Sequence, residues 1–232
     1  MTEIWAGLLQ AAKLIVGLDR ELLAIVFLSL KVSTAAVTTA ALIGIPLGAF
    51  LGMRPSVSVR WLEKLINTLM GLPPVVAGLV IYLLLSNKGP LGPMELLFTP
   101  MAMITAQTVL AIPIITGLTL VAVRDKHKEI RDTAVTLGAS QQMVIWTIIR
   151  EAKRAIMAAV VAGFGRVVAE VGAVMMVGGN IQGNTRVMTT AIVLETRKGN
   201  FEFALGLGII LLIIAFIINS LLYKIQGEVR NH

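Results

Sequence analysis

Few side chains in this sequence can carry charge or do chemistry, and two of them stand in an otherwise apolar stretch. Arg166 and Glu170 are four residues apart within the run from Gly163 to Ala173. At 1.5 Å rise per residue, Arg166 lies about 16 Å from the start of that stretch near Ala155, close to the middle of a bilayer. A charge at that depth costs about 2.5–3.5 kcal/mol, so both side chains must face protein or water. The pair is either structural, neutralising itself along one helix face, or part of a transport pathway, and the sequence leaves both hypotheses open.

Most other chemistry is missing from the sequence. There is no cysteine, and the histidines are His127, in a charged interval, and His232, at the last position. No aspartate lies in an apolar stretch, and no GxxxxGK[ST] motif is present to hold nucleotide phosphates. No group of residues has metal-ligand spacing. We therefore expect a chain that is not an enzyme, with no catalytic residue, no metal site and no bound cofactor.

The composition predicts an integral membrane protein. The chain is 56% hydrophobic and 14% charged, whereas soluble domains are about 25% charged. A helix of about 20 apolar residues crosses the hydrocarbon layer while satisfying its own backbone. Five stretches are long enough: 25–52, 64–86, 101–123, 155–178 and 203–223. Prolines inside them are expected to kink the helices, most strongly in the run Gly71-Leu72-Pro73-Pro74, and also at Pro46 and Pro113.

The same pattern divides the chain into three parts. Residues 1–20 are predicted to form an amphipathic helix in the membrane interface, with Trp5, Leu8 and Leu9 on its apolar face. Residues 21–224 form the transmembrane domain, and residues 225–232 form a cytoplasmic tail. The N-terminus has no basic region before an apolar run, so we expect no removable signal peptide.

The distribution of Lys and Arg predicts the orientation. If the first span runs from outside to inside, twelve Lys and Arg residues lie on the inner side and six on the outer side. Acidic residues divide equally, six and six, so the inner side carries the excess positive charge. Positive charge marks the cytoplasmic side of short loops. We expect a multi-pass protein of the cell membrane with its N-terminus outside and its C-terminus in the cytoplasm.

One long charged interval, residues 124–154, then lies in the cytoplasm. It carries seven of the twenty Lys and Arg residues. Its basic residues flank apolar spans and do not form a patch with stacking aromatics, which argues against nucleic acid as a partner. We predict two short helices around Gly138 that present Ala134, Leu137 and Ala139 to a groove in a soluble partner. Charged flanks such as Arg131 and Asp132 would set the orientation of docking.

The outer segment 179–202 is predicted to lie at the mouth of a pathway. It begins with a turn-rich run from Gly179 to Asn184. A short apolar helix is expected from Val187 to Glu195, capped by Thr185 or Asn184. Together with the buried pair, the candidate pathway residues are Arg166, Glu170, Asn180, Asn184, Thr185 and Arg186.

The charged interval resembles the coupling loop of ABC importer permeases. That family has Glu-Ala-Ala, three residues, Gly, nine residues, Ile, one residue and Leu-Pro; here Asp132 replaces Glu, Thr133 replaces the first Ala, and Arg150-Glu151 replace Leu-Pro. The resemblance covers about residues 22–224 and implies an all-α, five-span type I ABC importer permease bundle with cytoplasmic coupling helices. The residues that it implies for coupling to an ATPase are Arg131, Asp132, Thr133, Ala134, Leu137, Gly138, Ala139 and Ile148.

Within that family, the run from Arg166 to Ala173 resembles the Arg-x-x-x-Glu-[Phe/Val]-Gly-Ala pattern of permeases for sulfate, molybdate and tungstate. Its continuation through Ile181 is most similar to the tungstate type. The resemblance implies a homodimer in the lipid bilayer, a cytoplasmic ABC ATPase dimer that uses ATP and Mg²⁺, and an extracytoplasmic oxyanion-binding protein. It predicts import by alternating access, with tungstate favoured over molybdate and then sulfate.

Two other classes compete with this prediction. An ion-coupled secondary transporter would need inverted repeats and ionisable residues in both halves, and five spans do not divide evenly. A scaffolding membrane protein would leave the spacing around Gly138 without a role. Copurification with an ATPase separates the first prediction from both alternatives.

Overall fold

The structure is a computed structural model that describes residues 12–13, 16–17, 19–54 and 56–230, with the backbone alone for residues 135 and 225–230. The interfacial helix predicted within residues 1–20 lies largely outside these residues. Every regular element that the structure describes is helical. In chain order they are α1 (Arg20–Gly52), α2 (Val57–Met70), α3 (Pro74–Leu85), a 3₁₀ turn (Gly92–Met94), α4 (Pro100–Thr136), α5 (Gln141–Val168), α6 (Gly172–Gly178), α7 (Met188–Lys198) and α8 (Phe201–Arg230).

The predicted all-α membrane class is confirmed. Three helices, α1, α4 and α8, are each long and apolar enough to cross a membrane. Two interrupted pairs, α2 with α3 and α5 with α6, raise the number of candidate spans in the described residues to five when each pair counts once.

The second and fourth spans are broken helices. The break predicted at Gly71-Leu72-Pro73-Pro74 is present: α2 ends at Met70, and Pro74 is the first residue of α3. Proline suits that position because its missing N–H would have no partner in the first helical turn. The single helix predicted for 155–178 is wrong, since α5 ends at Val168 and α6 begins at Gly172. Pro46 and Pro113, by contrast, lie inside the unbroken helices α1 and α4.

Two short helices around Gly138 are also a wrong prediction. Helix α4 runs from its apolar part through the charged residues to Thr136, and α5 starts again at Gln141. The reason is visible in α5, where Val144, Ile148, Ala152 and Ile156 share one face and pack with Val123 of α4. That apolar face continues from the charged part into the span, so the helix does not need to end between them.

The short outer helix exists but differs in its bounds and cap. It runs from Met188 to Lys198 and not from Val187 to Glu195. Neither Thr185 nor Asn184 caps it: Thr190 Oγ1 accepts the Val187 N–H at 3.1 Å, and Ser29 Oγ accepts the Met188 N–H at 2.7 Å. A residue of α1, distant in sequence, thus replaces the local cap.

The chain forms two compact units. The first contains the described parts of Met1–Ala36, with Pro73–Gln107 and Arg166–Ile218; the second contains Val37–Leu72, Thr108–Gly165 and the described parts of Asn219–His232. In the second unit, glycines every four residues bring the end of α1 against α4. A Cβ atom on Gly48 would lie 2.5 Å from the Thr116 carbonyl oxygen, and one on Gly52 would lie 2.7 Å from that of Leu120. Small residues at this spacing allow two helices to approach closely in a membrane.

Replacing Gly48 with Val is therefore expected to force the two helices apart. Overpacking of this kind costs about 1–3 kcal/mol, so we expect a lower melting temperature of the detergent-purified protein and less folded protein in the membrane. Gly208→Val is the matched control, because a Cβ atom there meets nothing within 4 Å. Equal stability of the two variants would contradict the close packing of α1 on α4.

Candidate functional site

The break in the fourth span lies in the first unit, and side chains satisfy the backbone groups that it frees. Gln107 donates its Nε2 hydrogen to the Val167 carbonyl oxygen at 3.3 Å, and Thr189 Oγ1 donates to that of Glu170 at 2.8 Å. The Glu170 carboxylate in turn accepts the Ala173 N–H at the start of α6, at 3.1 Å. In lipid, unpaired backbone groups of this kind cost several kcal/mol each, so the break depends on these side chains.

Arg166 and Glu170 form the predicted ion pair, but not along one continuous helix. The Arg166 Nη1 and Glu170 Oε2 atoms are 2.9 Å apart, and the helix ends between the two residues. The carboxylate therefore bridges a guanidinium on α5 and a backbone N–H of α6. The two partners differ in exposure: the Glu170 side chain is 4% exposed and that of Arg166 is 38% exposed. The Arg166 side chain is therefore partly exposed, while the carboxylate that balances its charge is buried.

Other polar side chains surround Glu170. Ser29, Ser33 and Thr189 are buried, and with Gln107 they line a small cavity beside the carboxylate. The sequence analysis missed these residues, because each is a single polar residue within an apolar stretch. Polar groups at membrane depth are costly unless bonded, so their concentration at one break makes this region the candidate functional site.

Helix α6 packs against α3, the half-helix that follows the other break. A Cβ atom on Gly78 would lie 2.7 Å from Ala173 Cα, and one on Gly172 would lie 2.8 Å from Val75 Cγ2. The two half-helices are thus in backbone contact within the first unit. Short helices that begin at breaks and pack through small residues are typical of regions that line pathways in transporters.

Three of the predicted pathway residues hold together the turn between α6 and α7. Thr185 is fully buried; its Oγ1 accepts the Ile181 N–H at 2.9 Å and donates to the Gly178 carbonyl at 2.5 Å. The Asn184 side chain donates to the Phe98 carbonyl at 3.4 Å. Asn180, with a φ of 54°, donates to the Thr190 carbonyl at 3.4 Å. These contacts hold the turn, whereas Arg186 lines a cleft with Glu21.

The predicted coupling segment forms a tight, exposed turn in the second unit. Gly138 has a φ of 76°, which glycine adopts without strain, and the Ala139 N–H bonds back to the Ala134 carbonyl at 2.9 Å. Leu137, at the turn, is 82% exposed, and Arg131, Asp132 and Thr133 are exposed on α4. Ile148 is 0% exposed and belongs to the core under the turn. Its contribution is to hold the turn in place.

Two further apolar residues beside this turn were missed by the sequence analysis. Met143 and Trp146 are large, apolar and exposed, on the side of α5 away from the buried Val144 and Ile148. Their spacing of three residues was the signal that could have found them. With Leu137 they form what we call the apolar tip. Because the apolar tip lies in the charged interval predicted to lie in the cytoplasm, this exposed apolar patch is a candidate protein interface.

A bidentate ion pair joins α2 to α4 in the same unit. Arg124 donates through Nη1 and Nη2 to both carboxylate oxygens of Glu63, at 2.9 and 2.7 Å. Paired donors of this geometry fix the relative rotation of the two helices.

A model of the family described as binding-protein-dependent transport system inner membrane component matches residues 44–231. The chain belongs to this family. Among relatives, the chain is 44% identical over 228 residues to "Tungstate uptake system permease protein TupB" from Peptoclostridium acidaminophilum, covering 98% of this chain and all of that one. It is 28% identical over 201 residues to "Molybdenum transport system permease protein ModB" from Mycobacterium bovis, covering 82% of this chain and 75% of that one.

A solved structure shares the fold. The crystal structure of an amino acid ABC transporter with histidines matches 92% of this permease and 96% of its own chain, with a TM-score of 0.69 and 16% identity. The predicted type I ABC importer permease fold is thereby confirmed, and the chain is a membrane-embedded transport subunit.

The Glu170→Gln variant tests the role of the buried carboxylate in the permease. The amide keeps an oxygen for the Ala173 N–H but leaves Arg166 without a counter-charge, which is expected to cost about 1–3 kcal/mol. We expect a lower melting temperature of the purified protein and weaker uptake. Glu202→Gln, at an exposed glutamate at the start of α8, is the control. Unchanged melting and uptake in Glu170→Gln would contradict the role of the carboxylate at the break.

Proposed function

We propose that this permease imports tungstate, as the membrane subunit of an ATP-driven ABC importer. The observation that carries the proposal is the identity of 44% over nearly the full chain to a tungstate uptake permease, against 28% to a molybdenum permease. The cationic Arg166, partly exposed beside a helix break, supports an anion as the transported species.

The pathway is proposed to lie between two copies of the chain. Arg166 is 38% exposed in the single chain, although it stands in a span near the bilayer middle. A guanidinium at that depth needs protein or water around it, and lipid supplies neither. A second copy related by two-fold symmetry would enclose it and place two such guanidinium groups along one passage. Arg166 and Glu170 are our candidates for the pathway lining.

The energy is proposed to come from an ATPase dimer bound at the apolar tip. Leu137, Met143 and Trp146 fit a groove in such a partner, and the rigid turn at Gly138 would transmit its movement. ATP and Mg²⁺ bind to that partner and not to this chain. An extracytoplasmic binding protein delivers the oxyanion, and the permease alternates between outward and inward access. In this orientation the N-terminus is outside and the C-terminus is cytoplasmic.

Docking at the apolar tip is tested by Leu137→Asp. A carboxylate placed in an apolar groove loses its hydration, so we expect the ATPase no longer to copurify and uptake to fall by about tenfold or more. Lys88→Asp is the control, at an exposed residue of the loop that follows α3, on the side predicted to be outside. Retention of the ATPase by Leu137→Asp, at wild-type stoichiometry, would rule out this docking surface.

Substrate choice is tested by competition in proteoliposomes that contain the permease, its ATPase and its binding protein. We expect uptake of labelled tungstate to require internal ATP and to be inhibited by unlabelled tungstate at lower concentration than by molybdate or sulfate. Preferential inhibition by molybdate or sulfate would reassign the substrate within the same mechanism. Uptake driven by a proton or sodium gradient without ATP would support the secondary-transporter alternative.

A further inference from the structure

A cleft of about 360 Å³ opens in the first unit, and neither Arg166 nor Glu170 lines it. Its walls are apolar residues of α1, and its polar lining consists of Glu21, Gln182 and Arg186. All three polar side chains belong to segments predicted to lie at the outer surface. The cleft is large enough for a tetrahedral oxyanion with part of its hydration shell.

The Arg186 guanidinium at this cleft is buried but poorly satisfied. Its side chain is 11% exposed, and its Nε atom has no hydrogen-bond partner among the described residues. Its contact with Glu21 joins Nη1 to Oε1 at 3.5 Å, much longer than the 2.7 and 2.9 Å bonds from Arg124 to Glu63. A buried guanidinium normally forms short hydrogen bonds to its counter-ion. Arg186 therefore has N–H groups, including Nε–H, that could still donate to a bound anion.

The neighbouring carboxylates leave the Arg186 Nε–H without a hydrogen-bond acceptor among the described residues. Glu195 is nearby, but it accepts hydrogen bonds from Lys198 Nζ and Asn200 Nδ2, both at 2.9 Å. The bond from Lys198, assisted by that from Asn200 and by the charges of Lys198 and Arg186, holds the pKa of Glu195 below its usual range. Glu21 is 49% exposed and is held by Gln182 Nε2 at 2.8 Å. The carboxylate that faces Arg186 is thus the more exposed partner of the pair, with a side chain that is 49% exposed against 11% for Arg186.

We propose that Arg186 and Gln182 form an entry site for the oxyanion, which the Glu21 carboxylate occupies as an internal substitute until the anion displaces it. The proposal rests on the proposed import of tungstate. A guanidinium fork and an amide NH₂ group are the donors that tetrahedral oxyanions accept from, and a dianion attracts the guanidinium more strongly than a carboxylate does. Glu21 would then limit passage of free anions that no binding protein delivers.

The alternative is a structural clasp that merely ties the start of α1 to the outer turn. The two hypotheses predict different directions for the change in uptake when Glu21 or Arg186 is replaced. In a clasp, losing either partner harms the protein in the same way. In an entry site, losing Glu21 exposes Arg186 and losing Arg186 removes the site, so the two variants change transport in opposite directions.

The experiment measures uptake of labelled tungstate in proteoliposomes with the ATPase, with and without binding protein, together with the melting temperature of each purified complex. We expect Glu21→Gln to raise uptake in the absence of binding protein by about fivefold, because Glu21 is half exposed and its long contact with Arg186 is weak. We expect Arg186→Gln to lower uptake in its presence by about tenfold or more. Arg197→Gln, at an exposed cation of α7 that does not line the cleft, is the control and should leave uptake unchanged.

The charge-swapped double variant, Glu21→Arg with Arg186→Glu, decides between the hypotheses. This variant keeps an ion pair but no longer has a guanidinium at position 186. Uptake should therefore stay low even where the melting temperature recovers. Recovery of both would show a clasp and overturn the entry site, as would unchanged uptake in Glu21→Gln. Failure of the wild-type complex to import tungstate, by contrast, would reject the proposed function itself.

Discussion

Hydrogen bonding of the backbone at a helix break is the constraint on which the functional region depends. A helix that stops inside a membrane leaves carbonyl and N–H groups that lipid cannot satisfy. Here Gln107, Glu170 and Thr189 supply the missing partners between the end of α5 and the start of α6. The Glu170 carboxylate serves two ends at once, the Ala173 N–H and the Arg166 guanidinium. Removing one of these side chains therefore affects both the fold of the break and its charge.

The turn at Gly138 is built under a different constraint, because it is exposed and water can satisfy its backbone. What it needs is a defined shape. Gly138 provides the positive φ, and the buried face of α5 with Ile148 fixes the direction in which the turn projects. The apolar residues that remain exposed beside it, Leu137, Met143 and Trp146, are left for a partner. The break in the fourth span thus places polar side chains inside the protein, and the turn at Gly138 places apolar side chains on its surface. Both arrangements cost stability, which is expected where residues serve a function.

Sequence reasoning succeeded where the signal was local. Apolar stretches of sufficient length marked the spans, and Pro73-Pro74 marked the break in the second one. It failed where the partners are distant in the chain: the break after Val168 depends on Gln107 and Thr189, which no local pattern connects to Glu170. The cap of α7 by Ser29 is a failure of the same kind. Gly138 correctly predicted the turn. The sequence analysis nevertheless divided the charged interval into two short helices, because it did not detect that the apolar face of α5 continues from the turn into the span.

We expect the proposed alternating access to move the paired half-helices α3 and α6, and the accessibility of a single cysteine measures this movement directly. The chain has no cysteine of its own, so Val75→Cys, on α3 beside Gly172, gives a unique reporter. With the ATPase trapped in its ATP-bound state, we predict that a membrane-impermeant thiol reagent added outside labels this position, and that labelling is lost without nucleotide. Phe216→Cys, an exposed position on the apolar helix α8, should stay unlabelled in both states. Identical labelling of Val75→Cys with and without ATP would contradict alternating access through these half-helices.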